Sequence, residues 1–209
     1  MTMIRVADKI MKRIRGYGRG RWVCTPKNFL DLGSRSAIDK ALSRLVKDGL
    51  LRRISKGLYD LPRMSSILNR LAPPDIDATI KALARRDHTI FMPDGIVAAN
   101  SLGLTNAVPA KMAYLTNGTT RILNVGGRTV QIKHAKKHLM SWLKRPGLTV
   151  VLALDWLGKK VVSDSEIINI LRSRLPDNVK QDLVKGIDLL PIWMAKIVDS
   201  ITQSVSVAA

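Results

Sequence analysis

The stretch from Ser34 to Tyr59 constrains the fold most, because a helical period changes there into a strand period. Apolar residues recur at i, i+3, i+4 and i+7, which predicts a helix with one buried face. The side chains that carry this period are Ile38, Ala41, Leu42, Leu45 and Val46. Ser34 is suited to cap the start of the helix, and Gly49 to end it in the left-handed conformation.

Two short runs, residues 51–54 and 58–61, follow this helix and flank the turn Ser55-Lys56-Gly57. Alternating runs joined by a glycine-containing turn predict a β-hairpin. A basic helix followed by a basic hairpin is the pattern of a winged helix-turn-helix domain.

The residues before this stretch supply the remaining elements of that pattern. An amphipathic helix is predicted over Val6–Arg15, a short strand over Trp22–Cys24 and a short second helix over Lys27–Leu32. We therefore predict an N-terminal winged helix-turn-helix domain over residues 1–62.

The charge balance points to a polyanionic partner. The chain has 35 Lys and Arg against 16 Asp and Glu, a net charge of +19. Residues 1–63 hold 16 basic and 5 acidic side chains, so the excess is largest where the helix and hairpin lie. Such an excess favours nucleic acid as the partner, with an anionic membrane surface as the second alternative.

We expect double-stranded DNA to be bound by the two helices and the hairpin of this domain. The predicted DNA-binding residues are Lys27, Asn28, Ser34, Arg35, Ser36, Asp39, Lys40, Ser43, Arg44, Lys47, Arg52, Arg53 and Lys56. Further basic contacts are expected from Arg19, Arg21, Lys133, Lys136 and Lys137. Two functions are compatible with this surface without any protein partner. One is a DNA-binding transcriptional regulator that acts alone, and the other is a general nucleic-acid-binding protein without sequence preference.

Residues 63–209 are predicted to form an α+β domain with a small antiparallel sheet, over residues 75–140, and a helical C-terminal part, over residues 147–201. A connector helix is expected first, over residues 64–71. The predicted strands are 112–116, 121–125 and 128–134, and Asn117-Gly118 and Gly126-Gly127 are typical hairpin turns between them. These strands should form a meander.

The sequence offers no constellation typical of catalysis, so we expect no enzyme, no cofactor and no metal. His134 and His138 are four residues apart, but the lysines between them would repel a cation. The single cysteine, Cys24, lies in an apolar run and fits a reducing compartment. With no signal peptide and no span long enough to cross a bilayer, we expect a cytoplasmic location and no membrane partner.

Two segments of the second half resemble the AbiEi family of antitoxins. Residues 91–104, FMPDGIVAANSLGL, and 108–118, VPAKMAYLTNG, match its P-x-G, A-x-N-x-L-G-L and Y-L-T-x-G motifs. The strand pair over 121–134, Trp156-Leu-Gly158 and the Pro191-Ile-Trp-Met194 helix are also similar to members of that family.

This resemblance implies a bacterial type IV toxin–antitoxin system with a role in abortive infection and phage defence. Members repress their own operon by binding inverted repeats through the winged helix, and an inverted repeat allows self-association on the DNA. The C-terminal domain is associated with countering a nucleotidyltransferase-like toxin encoded by the adjacent gene. The resemblance implies no catalytic residues.

Overall fold

The computed structural model describes residues 5–67, 69–109, 111–162 and 164–203. Within these ranges the chain has nine α-helices and three small sheets, which confirms the mixed α+β class. It divides into two compact units. The first comprises Met1–Phe91 and Ile122–Val130, and the second comprises Met92–Arg121 and Gln131–Ala209. None of the described helices is long and apolar enough to cross a membrane.

The first unit contains the predicted helix and hairpin. Its elements are α1 (Val6–Tyr17), β1 (Val23–Cys24), a 3-10 turn (Pro26–Phe29), α2 (Arg35–Lys47), β2 (Arg52–Ser55), β3 (Leu58–Asp60), β4 (Met64–Ser65), β5 (Arg70–Leu71) and α3 (Ile76–Asp87). Strand β3 lies between β1 and β2, and both pairings are antiparallel. The predicted strand before the 3-10 turn and the hairpin over β2 and β3 are therefore confirmed.

Helix α2 forms where its apolar period predicts. Ser34 caps it by accepting a hydrogen bond from the Ala37 amide at 3.3 Å. Its buried residues are Ile38, Ala41, Leu42 and Leu45, which pack in one cluster with residues of α1 and the 3-10 turn. Gly49, with a φ of 70°, follows the helix in the left-handed conformation that was predicted for it.

Two predicted helices of this unit are wrong. The second helix over 27–32 is only a 3-10 turn over Pro26–Phe29, which begins with a capping box between Thr25 and Asn28. The connector helix over 64–71 is instead the hairpin of β4 and β5. Asn69 in its turn has a φ of 45°, a left-handed conformation that a continuing helix does not allow.

The first unit extends past the predicted domain boundary at residue 62. Helix α3, which Asp75 caps by accepting a hydrogen bond from the Ala78 amide, packs against β1 and β3. Arg85 of this helix donates a hydrogen bond from Nη2 to the Val23 carbonyl at 3.3 Å. The Arg85–Val23 contact joins residues 62 positions apart, and local sequence patterns do not reveal contacts of that separation.

The second unit is mainly helical. Its helices are α4 (Gly95–Ser101), α5 (Lys137–Ser141), α6 (Leu148–Val162), α7 (Ser165–Arg174), α8 (Asp177–Lys185) and α9 (Ile192–Thr202). Trp142 is fully buried in its core. The helical C-terminal part is thus confirmed, and Gly158, with a φ of 77° and a ψ of 160°, interrupts α6 with a non-helical conformation. Asp164 caps α7 by accepting a hydrogen bond from the Glu166 amide.

The three predicted strands form with the predicted bounds, but they do not form a meander. Strands β6 (Phe91–Pro93), β7 (Met112–Thr116), β8 (Arg121–Val125) and β9 (Arg128–His134) are ordered β6-β7-β9-β8. Gly126-Gly127 joins β8 to its neighbour β9, with φ values of 58° and 82° that suit a tight hairpin turn.

Asn117-Gly118 is not a hairpin turn, since β7 neighbours β9 rather than β8. The segment after β7 lies instead against the end of β9. The His134 amide donates to Thr120 Oγ1 at 2.9 Å, and the His134 ring lies 2.8 Å from the Gly118 carbonyl oxygen. Polar groups of the connection between β7 and β8 thus bond to the end of β9. Strand β8 lies at the edge of the sheet.

The capping role of Ser34 predicts a stability difference between two serines of the same helix. Ser34→Ala should lower the free energy of unfolding by about 1 kcal/mol, because the Ala37 amide loses its partner. Ser43→Ala, at an exposed interior position of α2, should change it little or raise it slightly. Urea denaturation followed by circular dichroism measures both. Equal losses for the two variants would contradict the cap.

Candidate nucleic-acid interface

The outer face of α2 carries the basic side chains that the sequence assigned to DNA. Arg35, Ser36, Lys40, Ser43, Arg44 and Lys47 are exposed, and Asp39 is half-buried. This face is fixed by the opposite one, because the apolar side chains of α2 are buried in the first unit's core. The helix therefore presents its cations and hydroxyls together to solvent.

Side chains in the first turn of α2 contact one another. Arg35 Nε donates to Asp39 Oδ2 at 2.8 Å, and the Ser34 and Ser36 hydroxyls lie 3.2 Å apart. The pair between Arg35 and Asp39 is exposed, so it contributes little to stability. Its effect is to orient the Arg35 guanidinium beside the helix N-terminus.

The turn between β2 and β3 is held by α3. Arg86 donates from Nη1 to the Lys56 carbonyl at 2.6 Å, and Lys27 Nζ donates to the Arg86 carbonyl at 2.9 Å. Arg86 is itself paired with Asp87, with 2.6 Å between Nε and Oδ1. The turn that carries Lys56 is thus anchored by a backbone contact, while the Lys56 side chain stays exposed.

Arg52 has a structural contact that revises its predicted role. It pairs with the buried Asp60 through two bonds, at 3.0 and 2.6 Å, and donates a third to the Ala72 carbonyl at 2.7 Å. A buried carboxylate needs such a partner. Its neighbour Arg53 is exposed, so Arg53 rather than Arg52 is the hairpin arginine available to a backbone phosphate.

Asn28 is also used within the fold. Its Oδ1 accepts from the Thr25 amide at 2.7 Å and lies 3.0 Å from Thr25 Oγ1, while its carbonyl accepts from Arg13 at 2.7 Å. The side chain is half-buried. These bonds use the Oδ1 atom and the backbone carbonyl of Asn28, so the residue shapes the turn before α2, whereas a phosphate contact would need its Nδ2 donors.

An ion pair that the sequence did not predict joins α1 to the residues before α2. Arg13 donates to both carboxylate oxygens of Asp31, at 2.8 and 2.5 Å. The hydrogen bond with Arg13 lowers the pKa of Asp31, and the same bond raises the pKa of Arg13. The partners are 18 residues apart, so no local spacing rule could find them.

The additional basic residues fall in both units. Arg19 and Arg21 are exposed in the loop after α1, and Arg19 lies 3.4 Å from the Pro62 carbonyl. In the second unit Lys133 lies 3.5 Å from Asp94, Lys136 pairs with Asp155 at 2.9 Å, and Lys137 is exposed. The ammonium groups of Lys133 and Lys136 lie beside carboxylates, so they are less available to a phosphate than Lys137.

His134 and His138, the two histidines four residues apart, have separate surroundings. His138 Nε2 lies 3.1 Å from the same Asp155 carboxylate, whereas His134 contacts the connection after β7. In the described part of the chain, no group of three or more His, Cys, Asp and Glu side chains could hold a metal ion.

The fold and this surface define a mixed α+β protein whose first unit presents a basic helix and a basic hairpin. A family model matches residues 9–181, and its description is a family of unknown function, DUF6088. Because the match spans most of the sequence, the chain belongs to this family. No curated protein matches the chain.

The structural role of Arg52 predicts a contrast between two adjacent arginines. Arg52→Gln should lower the free energy of unfolding by about 3 kcal/mol, because it leaves the buried Asp60 carboxylate without its cation. Arg53→Gln should leave the free energy of unfolding nearly unchanged, since Arg53 is exposed. Urea denaturation measures both free energies. An Arg52→Gln variant as stable as the parent chain would contradict the structural role of Arg52.

Cys24 should be unreactive in the folded protein. It is fully buried, and burial raises the pKa of its thiol to about 12. Since the thiolate is the reactive form, very little is present at pH 8. We expect a thiol-specific reagent to label Cys24 at pH 8 only after denaturant is added. Rapid stoichiometric labelling of the native protein would contradict this burial.

Proposed function

We propose that the first unit is a winged helix-turn-helix module that binds double-stranded DNA. The observation that carries the proposal is the exposed basic face of α2 next in sequence to the basic hairpin of β2 and β3. The first unit holds 21 basic and 8 acidic side chains, whereas the second holds 14 and 8. A positive surface of this kind attracts a phosphate backbone over long range.

Helix α2 has dimensions that suit the major groove. Its 13 residues span about 20 Å at roughly 1.5 Å per residue, and a major groove about 12 Å wide admits an α-helix. Arg35 and Ser36, at the helix N-terminus, would face base edges. Lys40, Ser43 and Arg44 would also enter the groove, and Lys47 would contact the sugar-phosphate backbone.

Asp39 has a supporting part in this arrangement. Its carboxylate accepts from Arg35 Nε at 2.8 Å, which leaves the two terminal nitrogens of the guanidinium for a paired contact with the O6 and N7 atoms of guanine. The carboxylate itself repels phosphate, which favours a position in the groove over one at the backbone. Asp39 thereby disfavours misplaced binding.

The hairpin would add a second contact to the backbone. Arg53 and Lys56 are exposed on β2 and its turn, and the bond from Arg86 to the Lys56 carbonyl holds the turn in place. A preordered turn loses less conformational entropy on binding than a free loop. Lys27 contacts the same arginine, since its Nζ donates to the Arg86 carbonyl.

We further propose that the bound DNA is an inverted repeat in the protein's own promoter and that binding represses transcription. The resemblance of residues 91–118 to AbiEi antitoxins supports this role, with the second unit countering a nucleotidyltransferase-like toxin. The alternative is a regulator that has no toxin partner, or a general nucleic-acid-binding protein. Footprinting on the upstream region distinguishes them, since a repressor protects a discrete palindrome and a general binder does not.

Loss of Arg44 should weaken DNA binding. Arg44→Ala is expected to reduce the affinity for the protected DNA by about 1–3 kcal/mol, because a charge-assisted contact is removed. Fluorescence anisotropy at several salt concentrations measures the affinity and its salt dependence. Each lost phosphate contact should reduce the slope of log K against log salt by roughly 0.9.

The double variant Arg35→Ala/Arg44→Ala tests the helix assignment against general charge. Its control is Lys160→Ala/Lys185→Ala, which removes two exposed cations from the second unit. The α2 variant should lose the footprint while the control keeps it. Equal affinity of the two variants for the promoter DNA would refute a DNA-reading role for α2.

A further inference from the structure

We propose that a cavity in the first unit, separate from the face of α2, binds a phosphate group. The cavity has a volume of about 350 Å³, and three arginines line it: Arg52, Arg70 and Arg128. Pro73, Pro74 and Gly126 form much of the remaining wall. Neither Arg70 nor Arg128 belongs to the helix and hairpin surface assigned to DNA.

The three arginines come from three different strands, so the fold rather than local sequence brings them together. Arg52 lies on β2, Arg70 on β5 and Arg128 on β9. Two of them are held in place by backbone carbonyls. Arg52 donates to Ala72 at 2.7 Å, and Arg128 donates to Pro74 at 3.1 Å. These carbonyls flank Pro73, so the guanidinium groups are fixed about a rigid segment.

The charges of the cavity are incompletely balanced. Asp60 neutralises Arg52, and no acidic side chain is among the described residues that line the cavity. Arg70 and Arg128 therefore leave an excess of two positive charges. Like charges gathered in one concavity raise the free energy of the empty protein, and a bound dianion would remove that repulsion.

Guanidinium groups have a geometry that suits a phosphate group. A planar guanidinium offers paired N–H donors that match two phosphate oxygens, and it remains charged at every physiological pH. The two prolines in the wall have no backbone N–H to offer. Recognition would thus come from the arginine side chains.

The part of the wall formed by Gly126 and Pro74 is closely packed. A Cβ added to Gly126 would overlap the Pro74 ring, and Gly126 has a φ of 58° that favours glycine. The β8–β9 turn therefore sits directly on the proline segment. The volume of the cavity is within the range of about 300–1,000 Å³ typical of small-molecule sites.

The ligand is a phosphate group, and either a phosphorylated small molecule or a DNA backbone could supply it. The inference does not rest on the proposed function, because the cavity can be tested without DNA. The probe is inorganic pyrophosphate, titrated into the full chain at low ionic strength by isothermal calorimetry. The test variant is Arg70→Gln/Arg128→Gln, which keeps Arg52 and its bonds to the buried Asp60.

The control variant, Lys12→Gln/Lys81→Gln, removes two exposed cations from α1 and α3 and leaves the cavity intact. We expect the parent chain and this control to bind one pyrophosphate with equal affinity. The test variant should bind at least about tenfold more weakly, because two charge-assisted contacts are lost. The single variant Arg70→Gln changes an exposed side chain and should lose an intermediate amount of pyrophosphate affinity. It keeps the test valid if the double variant does not fold.

No pyrophosphate binding by the parent chain, or equal binding by the parent and both Arg70 variants, would overturn the inference. The same variants on promoter DNA then identify the source of the phosphate. A reduced salt slope for the test variant but not the control assigns the cavity to the DNA backbone. Unchanged DNA binding alongside lost pyrophosphate binding assigns it to a phosphorylated small molecule. If no DNA footprint is found, the proposed DNA-binding function fails, but the pyrophosphate titration still tests the cavity.

Discussion

Burial of the apolar face of α2 is the interaction on which the first unit depends. Ile38 and Leu42 are fully buried in a cluster that also contains Ile10 and Phe29. Each such side chain contributes roughly 1.5–3 kcal/mol relative to exposure. The same packing fixes the direction of the opposite face, so a hydrophobic constraint sets the position of every cation on the helix. The like charges on that face oppose folding, and the buried cluster offsets their repulsion.

Ion pairs then divide the basic residues of this unit into two groups. Arg13 and Arg52 hold the fold, one by joining α1 to Asp31 and the other by neutralising the buried Asp60. The cations of the α2 face and the hairpin turn stay exposed. A high net charge alone does not separate these groups, because a structural arginine and a ligand-binding arginine look the same in a sequence. Only the partner of each guanidinium tells them apart.

Local patterns predicted most elements and failed where distant residues compete. Helix α2 and strands β7, β8 and β9 formed as predicted, since a regular period and a fitting cap or turn residue act within a few positions. The helix expected over 64–71 became a hairpin, and the expected meander became the order β6-β7-β9-β8. Strand order depends on pairings that the strand sequences do not encode locally.

The sequence by itself determined the basic helix, the hairpin after it and the concentration of charge around them. These follow from periodicity, glycine conformation and composition, all of which act over short separations. The tertiary structure decided that Asn28 and Arg52 support the fold, that α3 anchors the hairpin turn, and that Arg70 and Arg128 share a cavity. The reason is physical: a side chain's role depends on which charges and carbonyls the folded chain brings within hydrogen-bonding distance.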